Sequence, residues 1–503
     1  MIVLFTNRWL IALPPIWLLG VGGLVALATV LACYGLLRGV APGVAAEARA
    51  SLRDGFLGPL AWLLVAAAAA ALAFTYPLAR LATPSPLGQI ARSLQRFVTA
   101  DVGSRTIAVP PGASFEEIAI DVRPQELDRI ELETTGRLTI RTQQPIEGFA
   151  LAKVADVDLA PATPWTWRRA DGATNPFLGQ RALLQATNAS DRPVDLTVRW
   201  RLVPEFPQAA ILPWTAAVLV ALAAAYAAFR LGARRVAAIA AATTKEAIGQ
   251  PVFAVSLIVG TVLLFAFIVI PYNTFGEDVK MLKDSGLTLI KVLALLVVIW
   301  TASVAVSEEI EGRTALTVLS KPLTRRQFVL GKFAGLVLVA LLVFLILGGV
   351  LLATTSLKVV YDAREGAKVD PLWKDCADEM ITVVPGLVLA FLETVLLAAV
   401  SLAVSTRLGM VPNLVICFTV YALGHLVPLI VQSSVGKFAI VRFVGKLFAT
   451  ILPVLEHFTI EAAVVGGVPV PWGYLAWAAV YAGLYSAVAL LVALVLFQDR
   501  DLA

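Results

Sequence analysis

Two groups of residues in this 503-residue chain have types and spacings that could do chemistry. The first is Glu393, set in the middle of the apolar run "LVLAFLETVLLAAV". A carboxylate is costly in hydrocarbon and faces a cavity or a partner, so Glu393 is the candidate pathway residue, weighed against a protonated or hydrogen-bonded packing role. The second is "SEEIEGRTALTVLSKPLTRRQF", residues 307 to 328, where Glu308, Glu309 and Glu311 precede Arg313, Lys321, Arg325 and Arg326. So dense a block of mixed charge, bounded on both sides by membrane-length apolar segments, suits the gripping of a soluble partner. Other chemistries find little support. The only histidines, His425 and His457, are far apart, and a proton relay or metal site usually needs more ligands, so both are read as structural. Glu456 and His457 are adjacent, so their side chains diverge on a helix or a strand, and no nucleophile or metal set accompanies them. Cys33, Cys376 and Cys417 are scattered, two of them inside apolar segments, which excludes a disulfide framework or zinc cluster. No G-x-x-x-x-G-K-[ST] phosphate cradle occurs in the sequence, so the chain is not its own ATP motor.

The elements that must position these residues are membrane helices. Hydrophobic residues make up 59% of the chain, charged residues 15%, and mean hydropathy is +0.83, with the apolar residues in long runs. That composition reads as a polytopic α-helical membrane protein. A helix needs about 20 apolar residues to cross a bilayer. Nine segments qualify: 11–37, 57–79, 210–231, 251–271, 286–306, 330–354, 382–406, 410–431 and 473–497. A single basic residue, Arg8, precedes the first run, which is longer than a signal-peptide core and is expected to be retained. The "VLAC" ending at Cys33 is read as a plain intramembrane cysteine rather than a lipoprotein box.

Orientation follows from Arg230, Arg234 and Arg235, which place the end of the third segment inside the cell. Counting from there puts the block 307–332 and the C-terminus inside, and the N-terminus and residues 84–209 outside. Lys437, Arg442 and Lys446 land on the outer side, against the usual bias. The net charge of +5 is small for this length and its basic residues gather beside the apolar runs, so no nucleic-acid partner is expected.

Residues 84–209 change character. "SFEEIAIDV", "RIELETTGRLTIRT" and "PVDLTVRWRLV" alternate apolar with polar residues between "TTG", "DGATNP" and "NASDRP" turns. An inserted extracytoplasmic β-sandwich is expected, with charges spread over its solvated faces. Four domains result: 1–83 with two helices, 84–209, 210–250 with the third helix and a cytoplasmic interfacial helix, and a six-helix core over 251–503.

Within the charged block, Gly312 can bend the backbone, and "TALTVLS" (314–320) places apolar residues for a short amphipathic helix along the membrane face. Pro322 ends it. "TRRQ" then fits a capping box, Thr324 to Gln327, that launches the next membrane helix. Arg325 and Arg326 oppose the dipole of that helix, at a cost of some tenths of a kcal/mol each. Gly331 and Gly335 form a small-xxx-small pair suited to close packing. "GKFAIVRFVGKLFAT" (436–450) suits a helix lying in the outer interface, where Lys437, Arg442 and Lys446 are read as anchors, with contact to anionic lipid or substrate as the alternative.

The sequence resembles the membrane permeases of type-2 ABC exporters, in particular the branch typified by the nitrous-oxide-reductase maturation permease. The resemblance rests on "SEEIEGRTALTVLSKPLTRRQFVLGKFAG" (307–335), "GEDVKMLKDSGL" before the fifth segment, "LPVLEHF" (452–458) and the final "FQDRDL", and it covers 230–503. It implies that "RRVAAIAAATTKEAIG" is the interfacial helix and that 436–450 holds short re-entrant helices closing an outer gate. It also implies that Glu308, Glu309, Glu311, Arg313 and Thr314 touch a cytoplasmic ATPase, while Lys321, Pro322, Arg325 and Arg326 shape the return to the membrane. ATP and magnesium then belong to that separate ATPase, and this chain, a non-catalytic subunit in the bacterial inner membrane, binds no cofactor. A second permease copy, or a similar permease, completes the path. The first three helices and the β-domain depart from the family plan and leave the substrate open. The runner-up reading is a mechanotransmission or assembly subunit, whose outer domain is driven to act on an envelope partner without transport.

Overall fold

The structure, a computed structural model, describes residues 9–40, 86–99, 102–141, 156–270, 277–308, 324–432, 451–459 and 470–498, with interruptions of at most four residues inside these ranges, and a few scattered positions elsewhere. Two compact units form: Leu81–Ala210, and the rest of the chain. The helices are α1 (Leu13–Val40), α2 (Pro86–Val98), α3 (Ile211–Gly232), α4 (Arg234–Gly249), α5 (Pro251–Val269), α6 (Asp278–Ala302), α7 (Arg325–Glu365), α8 (Trp373–Ser405), α9 (Met410–Gln432) and α10 (Trp472–Gln498).

Among the described residues, seven helices are long and apolar enough to cross a membrane. They are α1, α3, α5, α6, α7, α8 and α10, each with its flanking turns. Of the nine expected segments, 57–79 lies almost wholly outside the described residues, and 410–431 is the helix α9, whose described apolar part is shorter. Three helices overrun their expected limits. α6 begins at Asp278 rather than 286, α7 runs from Arg325 to Glu365 rather than over 330–354, and α8 begins at Trp373 rather than 382. The reason is physical: apolar composition marks the hydrocarbon crossing, whereas backbone hydrogen bonding continues through charged residues into the headgroup region. At 1.5 Å per residue, the 41 residues of α7 reach about twice the ~30 Å hydrocarbon core.

α7 is the central stave of this unit. Leu342, Val343 and Leu347 meet Leu264 of α5, Ile290 and Ala294 of α6 and Val383 of α8 in one core cluster. Nearer its start, Phe328, Val329 and Leu336 meet Val298 and Ala302 of α6, Ala398 and Leu402 of α8 and Phe497 of α10 in another. The partner of the Gly331/Gly335 pair is α4. A Cβ at Gly331 would lie 2.6 Å from Ile239, and one at Gly335 would lie 2.7 Å from Thr243. With glycine at both, the backbones approach closely enough for the Thr244 hydroxyl to reach the Gly335 carbonyl at 3.2 Å.

In the other unit, β1 (Val102–Val109), β8 (Val194–Leu202), β3 (Leu127–Thr134) and β6 (Trp165–Arg168) form one sheet, in that spatial order. β2 (Glu116–Ile120), β7 (Ala182–Thr187), β4 (Leu138–Arg141) and β5 (Val157–Leu159) form the second. All pairings are antiparallel. Every second residue of β7 is buried, and Leu127, Ile130 and Leu132 of the first sheet share one core with Ile140, Leu184 and Ala186 of the second. The period-2 pattern therefore does its expected work. "TTG" joins β3 in one sheet to β4 in the other, so it carries the chain between sheets rather than closing a hairpin.

Candidate functional site

The charged block was the leading sequence-based site. Its approach is the last turn of α6, which widens into a π-helix over Ser303–Glu308. π turns mark places where a helix ladder is displaced, often at functional sites. A buried polar network holds this one: Asn413 of α9 donates from Nδ2 to Ser303 Oγ at 2.9 Å and to Ser401 Oγ of α8 at 3.0 Å. The Cys417 thiol donates to Asn413 Oδ1 at 3.3 Å. Glu308 ends the π turn. Glu309, Glu311, Arg313, Thr314, Lys321 and Pro322, with the expected surface helix over 314–320, lie outside the described residues.

The far end of the block is described. Thr324 caps α7: the Gln327 amide donates to Thr324 Oγ1 at 3.2 Å, and the Thr324 amide donates to Gln327 Oε1 at 3.1 Å. Arg325 has a role that sequence reading missed. Its Nη1 donates to the Gln498 carbonyl at 2.8 Å and, at 3.4 Å, to that of Phe497. A cation that opposes the dipole at the start of its own helix therefore satisfies the last carbonyls of α10, where positive charge is favourable. Phe328 stacks on Phe497 beneath it, with centroids 5.5 Å apart. Arg326 is exposed.

The second site forms around Glu393. Its side chain is wholly buried, and His425 Nε2 lies 2.8 Å from Oε1. Lys291 Nζ lies 3.2 Å from Oε2, as an ion pair whose alignment falls short of a hydrogen bond. Tyr421, one turn before His425, packs its ring edge to the imidazole at 4.9 Å and lies 5.3 Å from the Lys291 ammonium. Three helices thus converge: α6 supplies the cation, α8 the carboxylate, and α9 the histidine and tyrosine. Pro385, two turns before Glu393, removes one backbone donor from α8 and makes that helix the natural place to bend. His425, read as a lone structural residue, is brought onto Glu393. Lys291 was missed, although a lysine within "LTLIKVLALL" is itself an intramembrane charge in need of a partner.

Two further buried lysines tie the helix ends near α6 Asp278. Lys283 pairs with Glu379 and donates to Thr382 Oγ1 at 2.6 Å. Lys358, with no exposed surface, donates to the Ile268 carbonyl at 3.1 Å and lies 3.6 Å from Asp278. Beside them opens a cavity of about 560 Å³ lined by Glu277, Asp362, Asp370, Asp375 and Glu379 together with Lys280 and Lys368.

The "LPVLEHF" segment is held by a ladder of tyrosines from α10. Tyr474 donates to the His457 carbonyl at 2.6 Å, Tyr481 Oη accepts from the Val454 amide at 2.9 Å, and Tyr485 donates to the Ile451 carbonyl at 2.9 Å. Gly424 of α9 closes the other side, since a Cβ there would lie 2.7 Å from Leu455 and 2.9 Å from the Pro453 carbonyl. His457 is exposed and packs against Tyr481, away from any set of acids. Lys437, Arg442 and Lys446 lie outside the described residues.

In the β unit the charged side chains pair in solvent, as Arg141–Asp156 at 2.7 Å and Arg199–Glu133 at 3.2 Å. The exception is Glu126, buried and held at 2.7 Å by Arg96 of α2. Beside it the Glu205 carboxyl is raised above its ordinary value, first by burial and then by the Glu126 charge, against a smaller opposing pull from Arg123. Among the described residues no group of three or more His, Cys, Asp or Glu side chains could hold a metal ion.

Compared with protein-family models and with curated proteins, the sequence matches none.

Proposed function

We propose that this chain is the membrane-spanning permease subunit of an ATP-driven exporter of the type-2 ABC kind, worked by a separate cytoplasmic ATPase. The observation that carries the reading is the way both flanks of the charged block are anchored. On the incoming side, the π turn at Ser303–Glu308 is held by Asn413 to α8 and α9. On the outgoing side, the capped start of α7 is pinned to α10 through Arg325 and to α4 through Gly331 and Gly335. A force applied to the block would reach six helices, α6 and α7 that carry it and α4, α8, α9 and α10 that anchor them, which is what a coupling element between a soluble motor and a membrane unit requires. Glu308, Glu309, Glu311, Arg313 and Thr314 are proposed to meet the ATPase. The resemblance of 307–335 to the permease family supplies the kind of motor.

In this reading, nine spans lie in a bacterial inner membrane, and 84–209 is a β-sandwich on the extracytoplasmic face that meets substrate or an envelope partner. A second permease copy, or a similar permease, completes the assembly, and Glu393 is the candidate pathway residue. ATP and magnesium are bound by the partner ATPase.

One observation favours the mechanotransmission alternative. Among the described residues of the membrane unit, three buried lysines are closed in pairs with carboxylates, Lys283 with Glu379, Lys291 with Glu393 and Lys358 with Asp278. Affinity purification of the tagged chain from native membranes, with mass spectrometry of what accompanies it, tests the main reading. A Walker-motif ATPase is expected with the wild type and lost with Glu309→Ala/Arg313→Ala. Repeated recovery of no ATPase, under conditions that preserve known complexes, would overturn it.

A further inference from the structure

We propose that His425, Glu393 and Lys291 form a proton-loading site inside the membrane unit, with His425 as the entry and Glu393 as the store. Loading the site undoes the ion pair that joins α6 to α8. The inference rests on the cluster's own geometry and not on the presence of an ATPase.

A structural ion pair needs only the lysine and the carboxylate. Here the same carboxylate takes a histidine on its other oxygen, 2.8 Å away, and that histidine is not sealed: its side chain is 21% exposed while Glu393 is 0% exposed. The arrangement is therefore graded from a partly exposed imidazole to a wholly buried carboxylate. With Glu393 ionised opposite Lys291, the Nε2 facing Oε1 carries the imidazole proton and Nδ1 carries the lone pair.

The step balances as follows. A hydronium ion gives a proton to Nδ1, forming an N–H bond and leaving water. The Nε2–H bond then breaks, its electron pair stays on Nε2, and its proton forms the O–H bond on Glu393 Oε1. The imidazole ends neutral in its other tautomer, the carboxyl ends neutral, and the site has gained one positive charge. That charge is left on Lys291, whose side chain is 12% exposed and lies against Tyr421, 5.3 Å from its ring centre. A buried cation stripped of its counter-charge is strongly unfavourable. Loading therefore favours an arrangement in which α6 and α8 part at this level and Lys291 reaches water. Release of the proton by the reverse route restores the pair.

Other titratable groups described near α9 have partners of their own. Cys417 is engaged with Asn413, and on the 3-10 turn Leu455–Phe458, His457 packs against Tyr481 beside Glu456. On α10, Tyr481 and Tyr485 are engaged with backbone groups of 451–454.

Infrared difference spectra of the purified full-length chain, taken between acid and neutral pH in H₂O and D₂O, test the store. Subtracting the Glu393→Gln spectra from those of the wild type removes the bands of the other carboxyl groups of the chain, 35 Asp and Glu in all, and a deuterium-sensitive carboxylic-acid C=O band is expected to remain on acidification. In the Lys291→Met background, the same subtraction against Lys291→Met/Glu393→Gln is expected to leave that band at every pH. The absence of any Glu393-dependent band in the wild-type subtraction would overturn the proposal. The entry is tested without altering the cluster. Because the chain has two histidines, histidine-selective ¹⁵N labelling yields two imidazole signals, assigned with His457→Gln. The His425 signal is expected to change tautomer across about pH 5 to 8. An imidazole fixed in one tautomer throughout that range would contradict it.

Discussion

The two units of this molecule handle charge in opposite ways. In the β unit, ion pairs such as Arg199–Glu133 stand in solvent, with side chains 52% and 44% exposed. Water screens such pairs, so they contribute little, and stability there comes from the apolar core between the two sheets. In the helical unit, Lys283, Lys358 and Glu393 are all but sealed, and each is held by a group on another helix. Removing one partner there strands a charge in low dielectric. The same residue types are decoration in one unit and joints in the other, and the joints fall between helices that a transport or transmission cycle would have to separate.

The sharpest way to break this contrast is Lys291→Ala, which leaves Glu393 without its cation. It should cost about 3 to 5 kcal/mol, read as a large fall in the unfolding temperature of the detergent-purified chain. Lys291→Met with Glu393→Gln should recover most of the loss, because both charges leave together. If the single variant is as stable as wild type, the pair is not a joint. Next in size is Gly335→Leu, which drives a side chain into Thr243 and the Ala240 carbonyl across the α4–α7 contact. A loss of about 1 to 3 kcal/mol is expected in the same assay. Thr324→Ala removes the cap of α7 and should cost about 1 kcal/mol, with Thr324→Ser retaining most of it. At the bottom, Arg199→Ala in the β unit should move stability by no more than about 0.5 kcal/mol. A drop comparable to that of Lys291→Ala would erase the distinction between the units.

Most of the architecture was legible because each unit follows one simple period. Long apolar runs gave the helices, alternation gave β2, β3, β4 and β8, and "TRRQ" gave a capping box that is present in atomic detail. What could not be read were relations across the chain. Glu393 announced itself as a costly residue, but nothing local ties it to His425, 32 positions on, or to Lys291, more than 100 positions back. Arg325 looked unfavourable because its own helix was the only dipole in view; its partner is the end of α10, 173 residues away. Helix limits at Asp278, Glu365 and Trp373 were missed because hydropathy registers the bilayer and not the backbone ladder.

The central claim is that residues 307–328 transmit work between a soluble ATPase and the helices anchored on either side. The most direct test is ATP hydrolysis by the ATPase recovered with the wild type, measured after adding back the wild-type chain or Glu309→Ala/Arg313→Ala, each confirmed folded by its unfolding temperature. Stimulation by the wild type and none by the folded double variant is the predicted result. Equal stimulation by both would contradict the account and move the coupling elsewhere.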